Sequence, residues 1–215
     1  MNLDQARFFM VEQQIRPWDV LDPQVLDLLE QLPRHEFVAP DQQNLAYSDI
    51  ELPIGENQHM LSPKVEARIL QALDVFPEDQ VLEVGTGSGY MTALLASLAN
   101  KVTSVEIFES LQQTAKTRLK NFDNIDFVQG DASQDWSDQH DYDVIALTGS
   151  CGELPKAYKN KLKLGGRLFA FVGKSPAMQA LLITRISEQE WVEESLFETD
   201  VTPLIHAEAK PNFQF

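Results

Sequence analysis

The fold of this chain is decided by the stretch Val81-Leu82-Glu83-Val84-Gly85-Thr86-Gly87-Ser88-Gly89-Tyr90. It begins as a buried strand, turns over three closely spaced glycines and then opens a helix. Glycine at such a turn lets the backbone approach a ligand closely and adopt a positive φ at little cost. The N-terminus of the following helix presents unpaired N–H groups, which suit an anionic ligand group. We therefore predict a strand–turn–helix unit that forms a ligand site.

The spacing of the glycines separates two classes of nucleotide-binding turn. A dinucleotide fingerprint, G-x-G-x-x-G, requires a third glycine at position 90, which is Tyr90 in this chain. The turn instead reads G-x-G-x-G from Gly85 to Gly89, and it includes Thr86 and Gly87. This spelling is similar to that of methyltransferases that depend on S-adenosylmethionine (SAM). SAM is therefore the predicted cofactor.

The size and composition of the chain are those of a soluble protein with one domain. It has 215 residues, of which 43% are hydrophobic and 23% charged, and an α/β domain of this length is ordinary. The formal net charge of −16 argues against nucleic acid as a partner, because phosphates require basic patches. No secretory signal and no membrane-spanning apolar run is visible, and Cys151 is the single cysteine. We expect a cytoplasmic protein without a disulfide, a metal site or a membrane partner.

After residue 75 the sequence alternates between strand and helix patterns, and residues 180–188 and 191–203 are expected to form a final hairpin. The expected strands are 80–84, 101–106, 125–129, 142–148 and 167–172, and the expected helices are 90–99, 109–120 and 154–162. Alternating β and α units imply a parallel sheet with a ligand crevice at the carboxyl ends of its strands. The predicted fold is α/β: a doubly wound, mostly parallel, Rossmann-like sheet with a C-terminal antiparallel hairpin.

Residues 1–75 are expected to form a helical and loop cap that contributes the substrate loop, ahead of a SAM-binding core at 76–215. Two helix starts are marked by a capping residue before a proline, at Asp22-Pro23 and at Ser62-Pro63. Between them, residues 34–55 have an irregular pattern. Cap and core are expected to form one compact domain.

Acidic residues at the expected strand ends support the cofactor prediction. Glu106 ends the second strand of the core, where a carboxylate can accept hydrogen bonds from both ribose hydroxyls of a nucleoside. Asp131, with Ala132 beside it, follows the third strand, where a carboxylate can bind the adenine amino group. Glu83 lies just before the glycine turn, where a carboxylate favours the ammonium or sulfonium of the cofactor. Together with the turn, these residues predict SAM binding.

Seven segments outside the turn carry a family resemblance. They are MVEQQIR (10–16), RHEFV (34–38), AYSD (46–49), LPIG (52–55), DYDVI (141–145), LGGRL (164–168) and VG (172–173). Through them the sequence resembles the protein-L-isoaspartate O-methyltransferase family over most of its length. The N-terminal segments are specific to that family, whereas the Gly-Gly-Arg-Leu turn is shared by many methyltransferases.

The resemblance implies methyl transfer from SAM to the carboxylate of an isoaspartyl residue in a damaged protein or peptide. Such a carboxylate is already ionised at pH 7, so the reaction needs no general base. The enzyme has to align the two reactants and exclude water. Accordingly, the sequence shows no evident acid–base triad.

The substrate loop departs from the family pattern. The family loop reads G-x-G-Q-T-I-S-x-P, and residues 55–63 of this chain read GENQHMLSP. Asn57 replaces the second glycine, His59 the threonine and Leu61 the serine. The candidate residues on the acceptor side are therefore His59, Ser62 and Thr148, of which Ser62 also suits the N-cap of the next helix.

Two alternatives remain open at the level of sequence. One is a SAM-dependent methyltransferase with a different, small-molecule acceptor, and the other is a SAM-binding module without isoaspartyl activity. We expect the chain to be a monomer or a weak homodimer. Two phenylalanines in the terminal tail, Phe213 and Phe215, pack either on the core or on a partner.

Overall fold

A seven-stranded sheet covered by helices dominates the structure, a computed structural model that describes residues 2–209. The helices are α1 (Leu3–Met10), α2 (Pro23–Gln31), α3 (Pro63–Leu73), α4 (Tyr90–Leu98), α5 (Glu109–Arg118) and α6 (Lys156–Asn160). The strands are β1 (Leu52–Gly55), β2 (Gln58–Met60), β3 (Gln80–Val84), β4 (Lys101–Glu106), β5 (Ile125–Gln129), β6 (Tyr142–Cys151), β7 (Leu162–Lys174), β8 (Ala177–Arg185) and β9 (Trp191–Thr199). Within residues 2–209, no helix combines the length and apolar character that crossing a membrane requires.

The strand order of the large sheet is β5-β4-β3-β6-β7-β8-β9. The first five strands of this order are parallel to one another, and β8 runs antiparallel to β7 and β9. The order reverses at β3, whose neighbours are β4 on one side and β6 on the other. In an open α/β sheet the ligand crevice lies at the carboxyl ends of the strands beside such a reversal. The glycine turn follows β3 at this point.

The predicted α/β architecture is confirmed, and the expected strands at 80–84, 101–106 and 125–129 have the predicted bounds. The hairpin of β8 and β9 turns at the predicted place, where the amides of Ile186 and Ser187 donate to the carbonyl of Glu190. Helix α6 is shorter than predicted. Strand β8 pairs antiparallel with β7 after a tight turn, so the hairpin of β8 and β9 extends the main sheet.

The cap contains a hairpin that the sequence pattern did not predict. Strand β1, at the end of the stretch 34–55 that was predicted to be irregular, pairs antiparallel with β2, which follows that stretch, and Leu52 lies opposite Met60. The turn between them has positive φ at Gly55, Glu56 and Asn57. Asparagine is among the non-glycine residues that adopt this conformation most readily. Asn57 therefore preserves a turn in which the family pattern has glycine.

One hydrophobic cluster spans the cap and the sheet. It joins buried cap residues such as Met10 and Leu70 to Tyr90 of α4 and Phe169 of β7. Helix α3 contributes through an apolar stripe and packs against α2, α4 and β7. This cluster continues across residue 75, because Leu73, Val75 and Val81 all belong to it.

After β9 the chain crosses the carboxyl ends of the parallel strands. The amide of Ser150 donates to the carbonyl of Thr202 at 3.1 Å, and the amide of Leu204 donates to the carbonyl of Ser150 at 2.9 Å. These bonds fix residues 200–209, which we call the C-terminal segment, along β6. Phe213 and Phe215, whose packing the sequence left open, lie outside the described residues.

Candidate active site

A cavity that opens to solvent lies at the carboxyl ends of β3, β4, β5 and β6. About 870 Å³ of atom-free space, counting the solvent at its mouth, lies between its walls. Its wall combines the glycine turn, the ends of β4 and β5, the β1–β2 hairpin with the residues after it, and the C-terminal segment.

The glycine turn is held in place by Thr148 of β6. Gly85 has a φ of +100° and Gly89, at the N-cap of α4, a φ of +87°. The Thr148 hydroxyl contacts the carbonyls of Val84 and Gly85 at 2.9 and 2.7 Å. A Cβ on Gly85 would lie 2.4 Å from that hydroxyl oxygen. Gly85, Gly87 and Thr148 face the cavity, whereas Gly89 packs against α5 and is not part of the wall.

Glu106 connects the turn to the end of β4. One carboxylate oxygen accepts a hydrogen bond from the Gly87 amide at 2.9 Å, and the other accepts one from the Phe108 amide at 3.0 Å. The side chain is 5% exposed and belongs to the cavity wall. Because each carboxylate oxygen can accept a second hydrogen bond, Glu106 retains the capacity to bind two hydroxyl groups.

Asp131 lies at the mouth of the cavity, next to Ala132 in the wall. Its carboxylate accepts a hydrogen bond from the Ser133 amide at 2.9 Å and lies 2.7 Å from Nδ1 of His206. Partial burial raises the pKa of Asp131, but the Ser133 amide and His206 outweigh this effect and hold the pKa below its usual value. The carboxylate form is thereby favoured at the edge where the sequence predicts adenine.

Glu83 lies beneath the turn, outside the cavity wall. It is fully buried, and one carboxylate oxygen accepts hydrogen bonds from Thr92 at 2.6 Å and Ser104 at 2.5 Å. Ser104 also contacts the hydroxyl of Thr86 at 2.6 Å, and Thr86 does belong to the wall. Burial raises the pKa of Glu83 to about 8. This placement corrects the expectation that Glu83 faces the cofactor: it supports the turn from below.

The acceptor candidates divide into residues inside and outside the wall. His59 belongs to the wall and is exposed, with Nδ1 3.3 Å from the Thr202 hydroxyl of the C-terminal segment. Ser62 lies outside the wall at the N-cap of α3, although its side chain makes no capping hydrogen bond. Its carbonyl accepts from the Val65 and Glu66 amides. The structure therefore brings His59 and Thr148 to the cavity, and leaves Ser62 in the core.

The wall also contains residues that the sequence pattern did not predict, among them Glu51 before β1, Glu66 on α3 and the C-terminal segment. Glu66 carried a usable signal, because it lies on the same helical stripe as the apolar residues Ile69 and Leu70. A carboxylate on such a stripe is buried and needs a partner. The C-terminal segment carried no comparable signal, since its position depends on tertiary pairing with Ser150.

The charge of the wall is markedly asymmetric. Among the described residues it contains four carboxylates, one histidine, and neither lysine nor arginine; the carboxylates are those of Glu51, Glu66, Glu106 and Asp131. Such a wall favours a ligand with positive charge. SAM carries a sulfonium and an ammonium, together with a nucleoside that matches the positions of Glu106 and Asp131. The residues present therefore fit the cofactor that the turn predicts.

The family model and two relatives that match this chain carry the name of one family. Residues 7–209 match the model of the family described as protein-L-isoaspartate(D-aspartate) O-methyltransferase. A protein-L-isoaspartate O-methyltransferase 1 of Geotalea uraniireducens is 36% identical over 96% of this chain and 95% of its own length. The protein-L-isoaspartate O-methyltransferase of Syntrophus aciditrophicus is 39% identical over 87% of each chain.

Solved structures show the same fold. A structure named as a protein-L-isoaspartate O-methyltransferase of Plasmodium falciparum, in complex with S-adenosyl-L-homocysteine, superposes with a TM-score of 0.78. It is 19% identical to this chain and covers 95% of it and 98% of its own chain. Another protein-L-isoaspartate O-methyltransferase structure has a TM-score of 0.77 at 23% identity, covering 93% of this chain and 65% of its own. At these identities the likeness establishes the fold.

Proposed function

This chain belongs to the protein-L-isoaspartate(D-aspartate) O-methyltransferase family, and from that premise we propose that it transfers the methyl group of SAM to the carboxylate of isoaspartyl residues. The observation that carries the proposal is the composition of one cavity wall. The wall joins the glycine turn and the acidic strand ends to residues 58–61, the segment that aligns with the acceptor loop of the family. Cofactor and acceptor groups therefore share a single cavity.

The cofactor side of the cavity has three parts. Glu106 is positioned to accept hydrogen bonds from the ribose hydroxyls, and Asp131 is positioned to accept one from the adenine amino group. The backbone of Gly85 and Gly87 forms the floor between β3 and α4, because no side chain projects from it. The excess of carboxylates in the wall complements the positive charge of the cofactor.

The chemistry requires alignment more than proton transfer. SAM, when bound, supplies an electrophilic methyl group on a sulfonium. The cavity wall would align a carboxylate oxygen of the acceptor with this methyl group, which would pass to that oxygen while the electron pair of the carbon–sulfur bond stayed with sulfur. The apolar wall residues Ile54, Met60 and Leu61 exclude water from this region. Since no proton is moved, the reaction needs no general base.

We assign the binding of the acceptor carboxylate to His59. It is the one basic side chain in the part of the wall that the structure describes, and it projects from β2 beside Thr202. An anionic acceptor entering a wall with four carboxylates needs a hydrogen-bond donor or positive charge at its own position. His59 provides that donor in place of the hydroxyl of the family loop.

Substitution of His59 tests this assignment. His59→Ala is expected to raise the KM for an isoaspartyl peptide by roughly tenfold, because it removes one hydrogen bond to a charged group. The dissociation constant of SAM, measured by calorimetry, is expected to stay unchanged. His140→Ala is the matched control, because His140 is exposed in the loop before β6. Equal KM values for the two variants would contradict the role of His59.

The function itself is tested with a pair of peptides of one sequence, containing either isoaspartate or aspartate. We expect methyl transfer from SAM to the isoaspartyl peptide at a rate at least tenfold above the aspartyl control. Binding of SAM with no transfer to either peptide would favour a different acceptor or a binding module. Absence of SAM binding would overturn the cofactor assignment as well.

A further inference from the structure

Glu66 is a carboxylate that the described chemistry does not use, although it lies in the wall of the cofactor cavity. It is located in the first turn of α3 and is 2% exposed. One of its oxygens, Oε2, pairs with the buried guanidinium of Arg34. Among the described residues none donates a hydrogen bond to the other oxygen, Oε1. A buried carboxylate with a free acceptor in the wall of a cavity is available to a ligand.

Arg34 fixes the position of this carboxylate. The Arg34 side chain is fully buried and donates to the carbonyl of Ala46 at 2.8 Å and to the carbonyl of Leu61. Its guanidinium also lies 5.2 Å from the centre of the Tyr90 ring, the first residue of α4. Three cap segments and the glycine-turn helix therefore converge on one ion pair. The Glu66 carboxylate cannot swing away from the cavity without breaking these contacts.

The pairing with Arg34 leaves Glu66 short of positive charge. Burial raises the pKa of Glu66 to about 8, even though Arg34 acts in the opposite direction. A second cation beside the carboxylate would offset more of the cost of its desolvation. The cavity wall itself offers no such cation, because it contains neither lysine nor arginine among the described residues.

We propose that Glu66 binds the α-ammonium of the methionyl part of SAM, with Arg34 as its positioning residue. The inference rests on the proposed function, since it presupposes SAM in this cavity. Glu106 and Asp131 are already matched to the nucleoside, so the ammonium requires a further carboxylate of the same wall. Glu51 is the other candidate, but it is only partly buried; burial raises its pKa, and the nearby His59, which acts in the opposite direction, would compete with a ligand cation for this carboxyl. Among the described residues, by contrast, Glu66 pairs only with Arg34, which orients its carboxylate.

The experiment compares ligands that differ in the ammonium alone. The dissociation constants of S-adenosylhomocysteine and of its desamino analogue, S-adenosyl-4-thiobutyrate, are measured by calorimetry. The wild-type protein is expected to bind S-adenosylhomocysteine at least tenfold more tightly. In Glu66→Gln the ratio of these two dissociation constants is expected to fall to about threefold or less, while the dissociation constant of 5′-methylthioadenosine stays unchanged. Glutamine keeps an oxygen for Arg34 and removes the charge.

Glu51→Gln is the matched control and is expected to keep the wild-type ratio. A wild-type ratio in Glu66→Gln would overturn the proposal, and so would a collapse of the ratio in Glu51→Gln alone. If Glu66→Gln binds none of the three ligands, Glu66→Asp provides the test. We expect its ratio of dissociation constants to lie between the wild-type value and one. A ratio equal to that of the wild type would contradict the proposal. Failure of the wild-type protein to bind even 5′-methylthioadenosine would instead refute the cofactor assignment, so the two failures are distinguishable.

Discussion

At the scale of single residues, the cofactor turn depends on the contact between Gly85 and Thr148. The Thr148 hydroxyl occupies the space that a side chain on Gly85 would need, and the backbone at Gly85 has a positive φ. Two independent constraints therefore act on one position. Either alone would favour glycine, and together they exclude every other residue unless the turn moves.

Gly85→Ala is expected to combine both penalties. The backbone strain amounts to about 1–3 kcal/mol, and displacement of Thr148 adds to it and shifts the turn. We expect a lower melting temperature, by about 2–4 °C per kcal/mol, together with an at least tenfold weaker SAM affinity by calorimetry. Gly165→Ala is the control, because Gly165 has a φ of +80° with no atom within 4 Å of the added carbon. A normal SAM affinity in Gly85→Ala would contradict the role of the turn.

The buried carboxyl of Glu83 gives the protein a defined pH dependence. Its pKa is raised by burial to about 8 in the folded state, compared with about 4.3 in an unfolded chain. The folded protein therefore binds more protons between these values, so this contribution to the free energy of unfolding is complete below pH 4.3 and is lost as the pH rises through 8. We expect the free energy of unfolding, measured with urea at pH 6, 7 and 8, to fall more steeply with pH for the wild type than for Glu83→Gln.

Two comparisons isolate this effect. Glu78→Gln, an exposed substitution of the same kind, is expected to keep the wild-type slope. Contributions from other buried carboxyls, such as Glu66, occur in all three proteins and cancel in the differences. Parallel stability curves for wild type and Glu83→Gln would show that the carboxyl does not titrate differently in the folded state.

At the scale of elements, the C-terminal segment completes the cavity. The Leu204 side chain lies 2.9 Å from the position that a Cβ on Gly149 would occupy and 3.5 Å from the corresponding position on Gly85. The segment also contributes Thr202 beside His59 and His206 beside Asp131. It therefore contacts both the acceptor side and the adenine side of the cavity.

Leu204→Ala is expected to weaken SAM binding without unfolding the sheet. Loss of about 1 kcal/mol of apolar contact corresponds to a roughly fivefold higher dissociation constant. Leu164→Ala, at a residue that is 69% exposed, is the control for the same substitution. An unchanged dissociation constant in Leu204→Ala would show that the segment does not contact the cofactor.

The sequence predicts those elements that are determined by local pattern. Strand β3, the glycine turn and the cap–proline starts of α2 and α3 follow from residue types within a few positions. The β1–β2 hairpin was missed because its turn uses Asn57 in a conformation usually marked by glycine. The placement of Glu83 was missed for a related reason: the side of a strand to which a carboxylate points depends on the helix packed above it, here through Thr92.

At the scale of the whole molecule, the cavity wall and the chain as a whole are both negatively charged. The net charge of −16 and the four carboxylates of the wall both favour the positively charged cofactor over an anionic one. In the site we propose, an isoaspartyl carboxylate binds beside His59, against the negative field of the rest of the wall. We therefore predict a strict requirement for the geometry of the acceptor, because charge alone does not attract it.

The most direct test is a competition in one tube between isoaspartyl and aspartyl forms of one peptide, with SAM and a stoichiometric amount of the protein. We predict that mass spectrometry finds the added mass of one methyl group on the isoaspartyl form alone, as an ester of its free α-carboxylate, with one S-adenosylhomocysteine formed per ester. Equal methylation of both forms, or consumption of SAM with neither peptide modified, would contradict it.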